Sequence, residues 1–434
     1  MMGEYAGVLG FVAALALIAL RVPVAVAMGL VGIAGAAMIA DWNTVAFVLG
    51  SAPFQAVFPY GLSVVPLFVF MGVFAARAGL SRNLYEGVYV FVGHRKGGLA
   101  MATVGACAAF GAICGSSLAT AATMAKVAMP EMRRRGYADT LASASVAAGG
   151  TLGVLIPPSI IIIVYALLTE QSIGALFAAA LIPGLVGTAM YMAAVAVQVH
   201  LNPALGPAGE RFTWGQRLHA LRRVWDVALL FAAVIGGIYT GVFSPTEAAA
   251  VGAAGAFLFA LARRQLTWDV LVQALAETAI TTGMIFLILI GAALFNYFIE
   301  ASRLPDVLVG GLTGLGWPPL AVLVAILVFY LVLGCFMDAL SMILLTVPFI
   351  FPIIVAIGYD PVWFGILLVV VVELGLITPP IGMNLFVIQG TTPGLSLATM
   401  VRGIVPFIVA DIVRVGVLVA FPALVLWLPR ALGF

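Results

Sequence analysis

Charged residues are scarce in this sequence of 434 residues, because Lys, Arg, Asp and Glu together make up only 8% of it. A soluble globular domain usually carries about 25% charged residues, whereas 64% of this chain is apolar. So few charges cannot cover the surface of a soluble monomer, and that class is excluded. Since a spanning helix needs roughly 20 mostly apolar residues, the sequence predicts an all-α polytopic protein in a lipid bilayer.

Cysteine and histidine are also rare, with three residues of each. The cysteines lie inside apolar segments, where neither a disulfide framework nor a thiolate metal site is indicated. The sequence has no HExxH, GxSxG or GxxxxGK[ST] motif, which argues against an enzyme and against an ATP-driven pump. No organic cofactor is expected. Nucleic acid is not an expected partner either, because the net charge is only +2 and no basic stripe is present.

Glycine and proline are abundant, with 48 and 23 residues, and they reveal an internal repeat. A shift of 222 residues aligns two distinctive pairs without a gap, Gly136-Tyr137 with Gly358-Tyr359 and Pro157-Pro158 with Pro379-Pro380. The repeat predicts two structural halves, residues 1–199 and 224–434. A basic linker, residues 200–223, joins them and is expected on the cytoplasmic side.

Each half is predicted to contain a re-entrant helical hairpin followed by a broken transmembrane helix. In the first half, residues 97–131 form two apolar arms of about 15 residues, which is short for a full crossing. Basic residues flank these arms, and basic loops stay cytoplasmic. Residues 138–168 are the broken helix, with the break placed around Gly149–Pro158 and its free carbonyls at Gly149–Gly153. The repeat predicts the second hairpin at about 317–357 and the second broken helix at about 361–390.

The number of crossings predicts that the two halves are inverted relative to each other. Three crossings precede the first hairpin and two follow it, and an odd number in each half places the next half upside down in the membrane. Acidic flanks of the second hairpin, Asp306 and Asp360, fit its entry from the outside. The sequence therefore predicts ten crossings, with both termini on the periplasmic side.

Helices broken inside a membrane expose carbonyls and amides, which is tolerable where those groups bind an ion or a solute. Hydroxyl, carboxylate and carbonyl oxygens suit hard cations, so two or more Na⁺ sites are predicted. The candidate ligands are Ser116, Ser117, Thr120, Gly149, Thr151, Gly153, Asp338, Ser341, Gly375 and Thr378. Helix N-termini between the hairpin tips favour an anion, and the substrate-binding candidates are Asn384, Ser117, Pro157 and Pro379.

Structural roles stay open for several of these residues. Ser and Thr in membrane helices often bond back to a helix carbonyl, and Asn384 can equally cap the resumed helix. Glu373 lies just before the second break and suits either structural pairing or the ion path. Asp411 and Arg414 are three residues apart, a spacing that predicts mutual neutralisation on one helix face.

Four stretches of this sequence resemble the signatures of one transporter family. They are Gly111–Thr120, Gly149–Ser159, Met337–Asp338 and Gly375–Leu385, and they look like the large (DctM-type) membrane subunit of tripartite ATP-independent periplasmic (TRAP) transporters. The resemblance spans almost the whole chain. It implies Na⁺-driven import of a small organic anion, typically a carboxylate such as a C4-dicarboxylate, a sugar acid or a keto acid, across the bacterial inner membrane. An elevator-type ion-transporter fold is also implied.

The resemblance further implies two protein partners, a small four-helix membrane subunit (DctQ-type) and a periplasmic substrate-binding protein (DctP-type). Two alternatives remain at this point. One is an anion transporter of related architecture that works alone on a Na⁺ or H⁺ gradient. The other is an intramembrane enzyme or a purely structural subunit, which is disfavoured because no nucleophile–base pair occurs and a packing subunit does not need paired broken helices.

Overall fold

The computed structural model describes residues 2–314 and 316–434, and all regular elements within these residues are helical. Met1 and Leu315, which fall in the two predicted repeats, lie outside the described residues. The α-helices of the first half are α1 (Met2–Ala19), α2 (Val24–Ile39), α3 (Trp42–Val57), α4 (Val64–Arg77), α5 (Leu80–Val92), α6 (Gly98–Cys114), α7 (Ser117–Arg134), α8 (Asp139–Leu155), α9 (Ile160–Leu168) and α10 (Ile173–Leu201).

A short helix, α11 (Trp214–Arg223), lies within the predicted linker. The helices of the second half are α12 (Trp225–Tyr239), α13 (Pro245–Ala262), α14 (Trp268–Ala301), α15 (Leu304–Gly314), α16 (Pro319–Gly334), α17 (Ala339–Ala356), α18 (Pro361–Ile377), α19 (Met383–Thr391), α20 (Leu397–Ala420) and α21 (Ala423–Leu432). Both bounds of α17 lie 222 residues after those of α7, and the same holds for α18 and α8. The helix order around the two candidate sites thus follows the offset of the sequence repeat.

Six segments in the described chain are long and apolar enough to cross a membrane as single spans. They are Tyr60–Arg77, Ile173–Leu201, Pro245–Ala262, Trp268–Ala301, Ala339–Ala356 and Leu397–Ala420, and the bent pair α8 and α9, with 43° between its arms, adds a seventh. Other apolar segments are shorter, with 10–17 residues. They include Tyr5–Ala19 of α1, all of α2 and all of α12. The ten crossings remain a prediction.

Small residues let the helices of the first half approach those of the second half closely. On α2, a Cβ at Gly32 would lie 2.6 Å from the Leu294 carbonyl group of α14. Close backbone approach through glycine is typical of helix pairs in membranes. The long helix α14 also packs against α3 and α4, and α13 packs against α4. These helices form a framework beside the hairpins and broken helices.

A separate hydrophobic cluster joins the first hairpin to the broken helix of the second half. It contains side chains from α6, α7 and α8 together with Leu374, Ile377, Leu385 and Ile388 from α18 and α19. In addition, α20 packs against α8. The first hairpin and α8 are therefore packed on the second broken helix, and the second hairpin packs on α18 in turn, which brings the candidate residues of both halves near each other.

Candidate ion and substrate site

The first helix break lies later in the chain than the sequence prediction placed it. The predicted region Gly149–Pro158 contains the break, but its placement at Gly149–Gly153 was wrong, because those five residues lie within α8, which ends at Leu155. Two consecutive prolines cause the actual break. Pro157 and Pro158 have no N–H, so the carbonyls of Gly153 and Val154 have no donor four residues later. The chain resumes as α9 when the Ser159 hydroxyl accepts a hydrogen bond from the Ile162 N–H.

The tip of the first hairpin lies against this break. The arm α6 ends at Cys114, and Gly115 adopts a left-handed conformation with a φ of +62°. A Cβ at Gly115 would lie 2.8 Å from the Pro158 carbonyl oxygen. Glycine is therefore needed here both for its conformation and for the close approach. Ser116 then caps α7, with its hydroxyl oxygen accepting from the Ala119 N–H at 3.4 Å.

Two glycines of α8 bring the oxygen atoms of the first tip close to the helix. A Cβ at Gly153 would lie 2.6 Å from the Thr120 hydroxyl oxygen and 3.2 Å from the Ser116 carbonyl oxygen. One at Gly150 would lie 3.3 Å from the Ser117 carbonyl oxygen. Thr120 is fully buried, and its hydroxyl has no hydrogen-bond partner in the described part of the chain. The structure thus brings Ser116, Thr120 and Gly153 together.

The other α8 candidates face different neighbours. Gly149 packs on the side chain of Cys107. A Cβ at Gly149 would lie 2.8 Å from the Cys107 sulfur. The Thr151 hydroxyl donates to the Ala148 carbonyl at 2.7 Å and lies 3.1 Å from the Tyr191 hydroxyl on α10. Gly149 and Thr151 are therefore not among the residues that meet the first tip.

The second tip has a carboxylate as its helix cap. Asp338 accepts hydrogen bonds from the Ser341 N–H at 3.0 Å and from the Ser341 hydroxyl at 2.5 Å. This arrangement starts α17 and uses two of the predicted ligands on each other. Ser341 is buried, and Asp338 is half-buried.

The second break spans Thr378–Gly382 and meets the start of the second tip. The break was predicted to begin at Gly375, but Gly375 lies within α18, and its carbonyl accepts from the Thr378 N–H at 3.1 Å. A Cβ at Gly375 would lie 2.6 Å from the Gly334 Cα. The Cys335 sulfur lies 3.6 Å from the Pro379 carbonyl oxygen. Among the contacts of the described residues, Gly334 meets Gly375 on α18 and Cys335 meets the break itself, whereas the contacts of Asp338 are with Ser341.

The two breaks differ in exposure. Pro157 and its neighbours are buried, whereas Thr378 and Pro379 are half-buried and Pro380 is exposed. The Thr378 hydroxyl donates to the Leu374 carbonyl at 2.6 Å, a bond back into its own helix. The second break is the one that opens to the surface in this structure.

Asn384 and Glu373 connect the second half to the first hairpin and α8. Asn384 is fully buried, and its amide donates to the Ala147 carbonyl of α8 at 3.3 Å, while its side-chain oxygen has no partner within the described ranges. Glu373 is fully buried beside Ser117, and both of its carboxylate oxygens lack a hydrogen-bond partner among the described residues. A buried polar atom without a partner is uncommon and marks a candidate ligand-binding region.

A buried ion pair lies behind α8. The pairing predicted for Asp411 and Arg414 is confirmed, with 2.7 Å between a carboxylate oxygen and a guanidinium nitrogen, and both side chains are fully buried. The Tyr191 hydroxyl donates to the Asp411 carboxylate. Sequence reasoning missed Tyr191, because a single tyrosine in the long apolar helix α10 gives no pattern. The one local signal is Gly187, one turn earlier, where a Cβ would overlap the Arg414 guanidinium.

A charged contact holds the far end of the first hairpin. Arg133 donates to both carboxylate oxygens of Asp139 at 2.8 and 2.9 Å and to the Pro393 carbonyl at 3.0 Å. The hydrogen bonds with Asp139 raise the pKa of Arg133 above its ordinary value. Since Pro393 follows α19, this side chain joins the first hairpin, α8 and the second broken helix.

The fold is that of a membrane transporter. A solved structure of the YdaH transporter from Alcanivorax borkumensis superposes with a TM-score of 0.64, covering 89% of this chain and 91% of that one at 15% identity. Residues 11–424 match the family described as tripartite ATP-independent periplasmic transporter, DctM component. The chain therefore belongs to the TRAP transporter large permease family.

Curated relatives agree with this assignment. The C4-dicarboxylate TRAP transporter large permease protein DctM of Pseudomonas aeruginosa is 37% identical over 375 residues, which cover 86% of this chain and 87% of the relative. The isethionate TRAP transporter permease protein DctMQ of Oleidesulfovibrio alaskensis is 34% identical over 372 residues, which cover 85% of this chain and 58% of that longer protein. Both relatives are named as transporter permeases.

Proposed function

We propose that this chain imports a small organic anion, with a Na⁺ gradient as the driving force. The observation that carries the proposal is the meeting of the first tip with Gly153, where the Thr120 hydroxyl oxygen and the Ser116 carbonyl oxygen lie against the glycine and the Thr120 hydroxyl lacks a hydrogen-bond partner within the described residues. Carbonyl and hydroxyl oxygens are ligands for hard cations, and the Gly153 carbonyl has no helical donor because Pro157 follows. A first Na⁺ site is proposed there.

A second Na⁺ site is proposed at the other tip. Its oxygens would come from Asp338, Ser341 and the break that starts at Thr378. The helix-cap bonds between Asp338 and Ser341 leave lone pairs on the carboxylate. Proline again removes a helical donor, since Pro380 follows Leu376 at four residues.

The anion would bind between the two tips. Helices α7 and α17 both begin there, and helix N-termini attract negative charge. Ser117, Asn384, Pro157 and Pro379 are proposed to line this region. The relatives named for C4-dicarboxylate and isethionate transport both carry small anions, so we propose a carboxylate or a similarly sized organic anion as the substrate.

The movement proposed for transport is an elevator motion in which both hairpins and both broken helices move as one body against the remaining helices. The hydrophobic cluster that joins the first hairpin, α8, α18 and α19 supports a common body, as does the packing of both arms of the second hairpin on α18. The halves are proposed to be inverted in the bacterial inner membrane, with both termini periplasmic. A small DctQ-type membrane subunit and a DctP-type periplasmic binding protein are the proposed partners, as the TRAP family and the longer relative named DctMQ suggest.

The test is uptake into proteoliposomes that contain this chain with its small subunit, under an imposed Na⁺ gradient. The binding protein is added or omitted, and a panel of labelled organic acids is offered. Uptake that requires both Na⁺ and the binding protein supports the proposal and identifies the substrate. Uptake by this chain alone on a proton gradient contradicts both the partners and the sodium sites.

A further inference from the structure

The Tyr191 hydroxyl joins three helices at one buried point. It donates to the Asp411 carboxylate of α20 and lies 3.1 Å from the Thr151 hydroxyl of α8. Arg414 completes the group through its 2.7 Å ion pair with Asp411. All four side chains are fully buried, so these contacts are not exchanged with water and strongly favour one arrangement of the helices.

The Tyr191 ring is fixed in place on its other sides. The Phe407 ring packs edge-on against it with centroids 5.6 Å apart, and the Arg414 guanidinium lies 5.6 Å from its centroid. Gly187 provides the room for that guanidinium, and Gly403 allows α20 to approach the Thr140 carbonyl of α8. The hydroxyl therefore has a defined position relative to α8.

The hydrogen bonds that the Thr151 and Tyr191 hydroxyls donate define the direction of the Thr151 side chain. Each hydroxyl has one proton. That of Tyr191 goes to Asp411, so across the 3.1 Å contact Thr151 is the donor and shares its proton between the Tyr191 oxygen and the Ala148 carbonyl at 2.7 Å. Thr151 thus faces away from the first hairpin tip, whereas Gly150 and Gly153, on the same turn of α8, face it. The rotation of α8 is set by Tyr191 on one side and by the tip on the other.

We infer that Tyr191 is a positioning residue for the first cation site. Its hydroxyl holds α8 in the rotation that presents Gly150 and Gly153 to the tip, and Thr151 acts through this contact instead of as a ligand. The inference rests on the proposed function, in which the tip and α8 bind Na⁺.

The test is Tyr191→Phe, which removes one oxygen and keeps the ring. Initial uptake rates are measured against Na⁺ concentration in the reconstituted complex. We expect the half-saturating Na⁺ concentration to rise roughly three- to tenfold, the effect of losing the one hydrogen bond that joins Tyr191 to α8, with the rate at saturating Na⁺ within about twofold of wild type. Tyr165→Phe is the matched control, because Tyr165 is equally buried and donates to the Pro361 carbonyl at 2.7 Å, away from the tip.

Two Thr151 variants separate positioning from ligation. Thr151→Val should match Tyr191→Phe, the double variant should be no worse than either single one, and Thr151→Ser should restore wild-type behaviour. Additive losses in the double variant, or a wild-type Na⁺ response in Tyr191→Phe, would overturn the inference.

A second readout does not depend on transport. Alkylation of Cys114, at the end of α6 beside the tip, is followed by peptide mass spectrometry and should become faster in Tyr191→Phe, with or without Na⁺. If uptake by the wild-type complex does not depend on Na⁺, the proposed function fails. The alkylation rate of Cys114 then tests the inference alone, and an unchanged rate in Tyr191→Phe refutes it.

Discussion

Gly153→Ala tests the proposed first cation site with the smallest possible change. The added methyl group would stand 2.6 Å from the Thr120 hydroxyl oxygen and 3.1 Å from the Thr120 Cβ. Real Cβ atoms do not approach other atoms within 3.0 Å, so one of the two helices must move. Rotation of the threonine gives little relief, because a β-branched side chain in a helix has few allowed rotamers. The Ser116 carbonyl, at 3.2 Å, is backbone and moves only with the tip.

The expected magnitude follows from this overlap. One extra methyl in a well-packed interior costs about 1–3 kcal/mol. If the whole cost destabilises the arrangement in which the first tip contacts Gly153 of α8, the affinity for Na⁺ drops roughly 5- to 150-fold. Alanine is also the better helix former by about 1 kcal/mol in a helix interior, so α8 itself should be retained.

The assay is Na⁺-dependent uptake, with thermal unfolding in detergent as a check on folding. Gly416→Ala is the matched control, since Gly416 lies within α20 and no atom lies within 4 Å of a Cβ built there. We expect a large rise in half-saturating Na⁺ for Gly153→Ala and none for Gly416→Ala. Equal Na⁺ responses in the two variants would refute the reasoning that the tip and Gly153 form a cation site.

Three further variants probe other parts of the assembly. Asp338→Asn keeps a good helix cap but removes the charge, so the variant should fold and show a weaker Na⁺ dependence of uptake; an unchanged dependence removes the carboxylate from the second site. Asp411→Ala leaves Arg414 buried without its partner and should lower stability by about 3–5 kcal/mol, seen as a lower unfolding temperature, whereas a wild-type temperature would contradict the ion pair's structural role. Arg133→Lys cannot reproduce the two-pronged contact with Asp139 and should cost about 0.5–1 kcal/mol, given the partial exposure of this pair; no change in denaturation would show that the contact adds nothing.

Helix composition and repeat spacing predicted much of the architecture, because both depend on local sequence. The hairpin arms and the helices around both proline pairs follow from apolar length, turn residues and the 222-residue offset. The start of the first break was misplaced, because glycine was given more weight than proline. Gly149 and Gly153 stay helical when neighbouring helices pack against them, whereas Pro157 lacks the N–H that a continuing helix needs.

The site was predicted less completely than the helices, because it depends on contacts between residues that are far apart in the sequence. Serine and threonine in the first tip were identified as candidates, and two of the tip residues, Ser116 and Thr120, do meet Gly153. The direction of the Thr151 side chain could not be predicted, because it depends on the rotation of α8 against α10. Tyr191 and Asp411 are 220 residues apart, and no local pattern joins them.

The two tips are unequal although the chain builds them in the same way. The first is capped by a neutral hydroxyl at Ser116 and closed over a buried break, whereas the second is capped by the Asp338 carboxylate beside a break that is partly exposed. A cation at the second tip would meet a negative charge directly. At the first tip the contacting oxygens are neutral, and a buried carboxylate, that of Glu373, lies beside Ser117. Because a buried charge needs compensation, a cation bound at the first tip as proposed would depend on Glu373 for charge balance, and the second half would then contribute to the site built by the first.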